Sequence, residues 1–308
     1  MRKKIFYLLA ILLFAMWGHH FWLRVGKPAM TDEVRAKHSK KSVMLTAGTT
    51  AYELHAGEGP VVVLVHGFSI PSPVWDNTFN ALTEADFSVL RYDLYGRGFS
   101  DRPNTKYNAE LFVAQLKELT DKLIPGKKII LCGLSMGGAI SVAFADKYPK
   151  SVEKLVLIDP AGFPMATPAA AKLVKVPLIG DYFGRVFARR VIEKGIGDNF
   201  TTGTPPLLMA ATLQQAEYSG YADAIVSTIR HMNMTGMEDI YQRVGKSGKP
   251  VLLLWGRHDK VVPFANAEKI RGAMPAAKFV ELEKSGHIPT IDENAKTHRV
   301  IKEFLSAE

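Results

Sequence analysis

Cysteine is almost missing. Cys132 is the single one in 308 residues, which excludes an intramolecular disulfide framework and any cysteine-rich metal site. Its place inside an apolar run reads as a small core residue. Low-complexity tracts and internal repeats are absent, so nothing points to a disordered or solenoid chain. Acidic residues are in deficit, 30 against 39 Lys and Arg, for a net charge of +9. The basic residues are spread along the chain with no nucleic-acid-binding motif beside them, so no nucleic-acid partner is expected. A role near an anionic lipid surface uses that charge better.

What is present is a 47% hydrophobic, 22% charged chain, large enough for one α/β domain with an insertion or for two small domains. Arg2-Lys3-Lys4 precedes an apolar run from Ile5 to Trp17, which Phe21-Trp22-Leu23 extends. The whole stretch just reaches the roughly 20 residues needed to cross a bilayer. No good small-x-small cleavage site follows it, so residues 1–25 are read as an uncleaved anchor, with a removed signal peptide as the alternative. The expectation is membrane attachment through residues 5–23 and an extracytoplasmic, periplasmic-type soluble domain, or secretion if the segment is cleaved. Basic residues on both sides of the run, Arg24, Lys27, Arg35, Lys37, Lys40 and Lys41 on the far one, blunt the charge asymmetry that sets orientation.

The chain is organised around Lys128 to Asp146, KIILCGLSMGGAISVAFAD. Ile129 to Cys132 form a short apolar run like a doubly buried parallel strand, and a small-residue helical pattern follows Gly133-Leu134-Ser135-Met136-Gly137. G-x-S-x-G alone arises by chance in roughly one chain in ten of this length. Here the strand before it and the helix after it are the ones a serine-bearing turn requires. Gly133 and Gly137 are needed because a Cβ two residues to either side of the serine would strike the opposing backbone.

Further strands are expected at Val43–Leu45, Thr50–His55, 60–65, Val89–Asp93, Val152–Ile158, Val251–Trp255 and Lys278–Leu282. Helices are expected from near Val74 to Phe87, over Ala109–Leu123 with Asn108 as N-cap, over 264–272 and over 293–305. Strands alternating with helices predict a mostly parallel sheet flanked by helices, built from residues 42–161 and 249–308. The alternation breaks over residues 162–248, whose helical pieces (182–193, 206–218, 222–233) and five methionines read as a helical cap.

A serine hydroxyl needs a neighbouring base, and that base an orienting acid. Gly256-Arg257-His258-Asp259 and Ser285-Gly286-His287 each follow a predicted strand. Residues just past the carboxyl ends of parallel strands share one edge, so Ser135, Asp259 and His287 are expected to converge. Asp159 follows a strand at the same edge and rivals Asp259 as the acid. His66, at a strand end, reads as a structural hydrogen-bonding residue, and His258 diverges from its neighbour Asp259. Asp93 and Arg97 read as ties beneath the turn.

In this order, serine then acid then histidine, residues 45–307 resemble the α/β-hydrolase superfamily. His66-Gly67-Phe68 is similar to its oxyanion-loop motif, which implies the backbone N–H groups of Phe68 and Met136 as an oxyanion hole. Asp93-Leu94-Tyr95-Gly96-Arg97-Gly98-Phe99-Ser100 resembles the D-x-x-G-x-G-x-S loop of the capped lipase- and esterase-like branch. With Asp159-Pro160-Ala161-Gly162 and an N-terminal anchor, the chain looks like a membrane-bound monoacylglycerol lipase-type hydrolase. The resemblance implies the α/β-hydrolase fold and serine carboxylester hydrolysis of a lipid-like ester, with no metal or organic cofactor. Ser135 at the turn argues against dehalogenase and epoxide-hydrolase chemistry, which place a carboxylate there. Two alternatives stay open: carbon–carbon hydrolysis of ring-fission diketones, and a ligand-binding receptor on the same fold. In the cap, Leu178, Ile179, Phe183 and Phe187 suggest an apolar acyl site.

Overall fold

The structure, a computed structural model, describes residues 7, 11, 18, 26–38, 40–164 and 169–307. The expected N-terminal anchor falls almost wholly outside them. Among the described residues no helix is long and apolar enough to cross a membrane.

Eight strands form one sheet: β1 (Lys41–Leu45), β2 (Gly48–His55), β3 (Val61–Val65), β4 (Ser88–Tyr92), β5 (Ile129–Leu134), β6 (Val152–Ile158), β7 (Val251–Gly256) and β8 (Lys278–Leu282). Their spatial order is β1-β2-β4-β3-β5-β6-β7-β8. The β1–β2 and β2–β4 pairings are antiparallel and the rest parallel, so β2 alone runs against the other strands. Strands β3, β5 and β7 are buried along their whole length, as continuous apolar runs covered on both faces must be. The two-residue period divides them cleanly. Val61, Val63, Val65, Leu131 and Leu253 join one core layer, whereas Val62, Leu64, Ile130, Cys132 and Leu252 join the other.

The helix over Ala109–Leu123 forms as expected, its first turn capped by the Asn108 side chain accepting from the Leu111 N–H at 3.0 Å. The helix expected from Val74 is instead a 3₁₀ turn over Ser72–Trp75 that passes into a helix over Asp76–Thr83. Pro71 and Pro73 explain the poor start, since neither can donate a backbone hydrogen bond.

Between β6 and β7 the chain is helical: Ala169–Val174, Ile179–Gly195, Pro206–Gln214, Tyr221–His231 and Glu238–Gly245. The first and last, six and eight residues long, carry no clear sequence signal, because about two turns give too short a spacing to declare itself. Glu238–Gly245 lies against the helix that follows Ser135: Arg243 pairs with Asp146 at 2.7 Å, and the Tyr241 hydroxyl donates to the Ala161 carbonyl at 2.5 Å. Residues ahead of β1 also pack onto the domain. Arg35 is buried, donating to the Phe99 carbonyl at 2.9 Å and pairing with Asp32 and Asp101.

Candidate active site

Register places the site. Leu134 lies beside Ile158, Ile158 beside Leu254, and Gly256 beside Leu282, so the loops that follow β5, β6, β7 and β8 leave the sheet at one edge. Those loops carry Ser135, Asp159, Asp259 and His287.

Ser135 occupies φ 56°, ψ −119°, a region that side chains avoid and that costs on the order of 1–3 kcal/mol. The strain is held from three sides. The Ser135 N–H donates to the Ile158 carbonyl at 2.9 Å, and the Ser135 carbonyl accepts from the Gly138 and Ala161 N–H groups at 3.0 Å each. A Cβ at Gly137 would stand 2.0 Å from the Val65 carbonyl oxygen, and one at Gly133 would stand 2.5 Å from that of Gly137. Close backbone approach therefore demands glycine at both positions. Met136 opens the following helix, where backbone N–H groups have no carbonyl a turn earlier to bond.

The other two groups meet across a loop. His287 Nδ1 and Asp259 Oδ2 are 2.7 Å apart, both side chains all but sealed from solvent. Asp259 Oδ1 accepts the Val261 and Val262 N–H groups at 2.7 and 2.9 Å, so its carboxylate is held by three donors. With Nδ1 committed to Asp259, Nε2 is the ring nitrogen left for the cavity. Ser135, His287 and Phe68 line a single cavity of about 210 Å³. Its other walls are mostly apolar and include Ile70, Ile288, Val191 and Ile196.

His66 has a different role. It is fully buried, with Nδ1 2.9 Å from the Gly67 carbonyl and Nε2 accepting the Leu94 N–H at 2.9 Å. A neutral imidazole satisfies both contacts, and burial pushes the group down to about 4. His258 is exposed.

The loop after β4 ties the site to the cap. Asp93 accepts the Ser72 and Phe99 N–H groups at 2.9 Å each. The buried Arg97 donates to the Phe68 carbonyl at 2.9 Å and, across to Tyr221–His231, to the Thr228 hydroxyl at 2.9 Å. Gln215 bridges the same parts: its Nε2 donates to the Ser69 carbonyl at 2.6 Å and its Oε1 accepts the Gly98 N–H at 2.9 Å. Gln215 and Thr228 were missed in the sequence because each is a polar residue on a helix with no motif around it. Their partners lie 146 and 131 residues away.

The cap residues expected to line the acyl site do not. Leu178, Ile179, Phe183 and Phe187 are exposed, and the cavity is lined by the end of the same helix, at Val191, Ile192 and Gly195. Helical spacing identifies an apolar face without saying which neighbour covers it.

A profile of the alpha/beta hydrolase fold matches residues 60–294. The chain belongs to the α/β-hydrolase family. Among its relatives is Lipase 1 of Psychrobacter immobilis, 27% identical over 286 residues, spanning 87% of this chain and 85% of that lipase. The 2-hydroxy-6-oxo-2,4-heptadienoate hydrolase of Pseudomonas putida is 28% identical over 283 residues, spanning 86% of this chain and 96% of that enzyme. Among solved structures, the esterase of Exiguobacterium antarcticum superposes with a TM-score of 0.74 at 21% identity, over 87% of this chain and 99% of that one, a likeness of fold. This α/β-hydrolase thus has lipase and hydrolase relatives along most of its length.

Proposed function

We propose that this α/β-hydrolase is a serine carboxylester hydrolase acting on lipid-like acyl esters. The observation that carries the reading is that a strained Ser135 and a hydrogen-bonded His287–Asp259 pair open into one cavity with mostly apolar walls. His287 Nε2 takes the Ser135 hydroxyl proton as the oxygen attacks the ester carbonyl carbon. The resulting oxyanion is held by the Phe68 and Met136 N–H groups, where losing one donor costs about 3–4 kcal/mol. Collapse breaks the carbon–oxygen ester bond, and the alkoxide leaves as alcohol with the proton from His287. Water then attacks the acyl-serine, giving its proton to His287, which returns it to Ser135 as the acid departs. Asp259 fixes the imidazole and stabilises its charged form. The N-terminal run at residues 5–23 would hold the enzyme at a membrane, close to such substrates.

The test is a p-nitrophenyl ester series from acetate to palmitate on the full chain, with Ser135→Ala alongside. Turnover that vanishes in the variant supports the reading, and a medium- or long-chain optimum supports lipid-like substrates. The Pseudomonas putida relative favours a second reading, carbon–carbon hydrolysis of a ring-fission product. Turnover of a dienone acid with none on any ester would select it.

A further inference from the structure

Asp159 takes no part in the proton relay above, yet its carboxyl group is fully buried beside it. It follows β6 at φ 44°, a left-handed conformation that Asp and Asn tolerate better than other side chains. The Gly256 N–H donates to its Oδ1 at 2.9 Å. Among the described residues its Oδ2 is sealed from solvent and meets no hydrogen-bonding partner. One polar side-chain atom from each of Asp159, Asp259 and His287 lies within 4.8 Å of the other two.

Two carboxylates this close in a dry site do not both ionise. Asp259 is held by three N–H donors and Asp159 by one, so the negative charge belongs on Asp259 and the proton on Asp159. Placed on Oδ2, that proton turns the orphaned oxygen into a donor, with an Asp259 lone pair as its acceptor. Burial first, and the Asp259 charge second, push the Asp159 carboxyl well above the usual carboxylate range, in agreement with the geometry. Among the described residues His287 and Asp292 also face the pair, and the Asp292 oxygens are taken by the Gly286 and Thr201 N–H groups and the Thr202 hydroxyl.

We propose that Asp159 is a positioning residue: as a neutral carboxylic acid it donates a hydrogen bond to Asp259 and holds that carboxylate in line with His287. Its kinetic consequence rests on the serine-hydrolase reading, whereas its protonation state does not.

Asp159→Ala removes the donor. A barer Asp259 then holds the imidazolium more tightly and less well aligned, so kcat is expected to fall about tenfold and the acid limb of the pH profile of kcat/KM to move upward. Asp159→Asn, whose amide N–H replaces the acid O–H, is expected to rescue both. An ionised Asp159 predicts the opposite, because Asn would delete a negative charge beside the imidazolium. A downward shift of the acid limb by about a unit in Asp159→Asn overturns the proposal. An infrared difference spectrum, wild type minus Asp159→Asn at neutral pH, needs no turnover. It is expected to show the carbonyl band of a protonated carboxyl group, and a spectrum without that band overturns the proposal. The band in a protein inert toward every ester would uphold the proton while defeating the carboxylester-hydrolase reading.

Discussion

Replacing Gln215 with alanine strands a buried backbone group, the Gly98 N–H, 2.9 Å from Oε1, and a half-buried one, the Ser69 carbonyl, 2.6 Å from Nε2. The buried N–H costs about 1–3 kcal/mol when left without a partner and the half-buried carbonyl less, because water reaches it, so the variant is expected to lose about 1–4 kcal/mol of stability. Water entering the gap would bring the loss toward the lower figure. Activity follows, because Ser69 is the next residue after Phe68, whose N–H is assigned to the oxyanion. Loosening that donor costs up to about 10²–10³ in kcat. The assay is a urea unfolding curve together with kcat and KM on a p-nitrophenyl ester. The expected result is a lower midpoint at unchanged slope, with kcat reduced at least about tenfold and KM within about threefold. A Gln215→Ala protein with wild-type midpoint and kcat would refute the idea that the cap supports the oxyanion loop.

Lowering the pH should destabilise the fold through His66. Its folded form protonates only near about 4, while an unfolded histidine does so near about 6.5, so the unfolded chain binds the extra proton between the two. Stability therefore falls as pH drops through that window, by up to about 3 kcal/mol from this group alone. His298, also pushed down to about 4 by burial, adds in the same direction. Urea midpoints taken across the window check the slope, and a flat profile contradicts it. Gly137→Ala forces a Cβ to 2.0 Å from the Val65 carbonyl oxygen and is expected to cost about 2–3 kcal/mol or more. Gly272→Ala, an exposed helical glycine with nothing within 4 Å of the added Cβ, is expected to gain up to about 1 kcal/mol in the same unfolding assay.

The sheet was legible because the two-residue period, the apolar runs of β3, β5 and β7 and the Leu155–Ile158 run of β6 admit few other readings. The edge shared by Ser135, Asp259 and His287 was legible for the same reason, since strand ends in a parallel sheet fix which loops become neighbours. What escaped the sequence is what long-range packing decides. Phe183 and Phe187 announce an apolar helix face, yet they stack on each other at 5.7 Å between ring centres and remain exposed. Gln215 and Thr228 look like solvated helix residues until the loop after β4 is folded against them. Asp159 could be placed at the right edge, but its role depends on one orphaned oxygen and three donors around a neighbouring carboxylate, which only the folded chain brings together.

The most direct test of the central claim is covalent capture of the nucleophile. The full chain is treated with diethyl p-nitrophenyl phosphate, and intact mass, peptide mapping and ester turnover are followed together. The account predicts one diethylphosphoryl group per chain, on Ser135, with activity lost in proportion, and a Ser135→Ala protein that is neither labelled nor active. A Ser135→Ala protein that hydrolyses esters at the wild-type rate would contradict it.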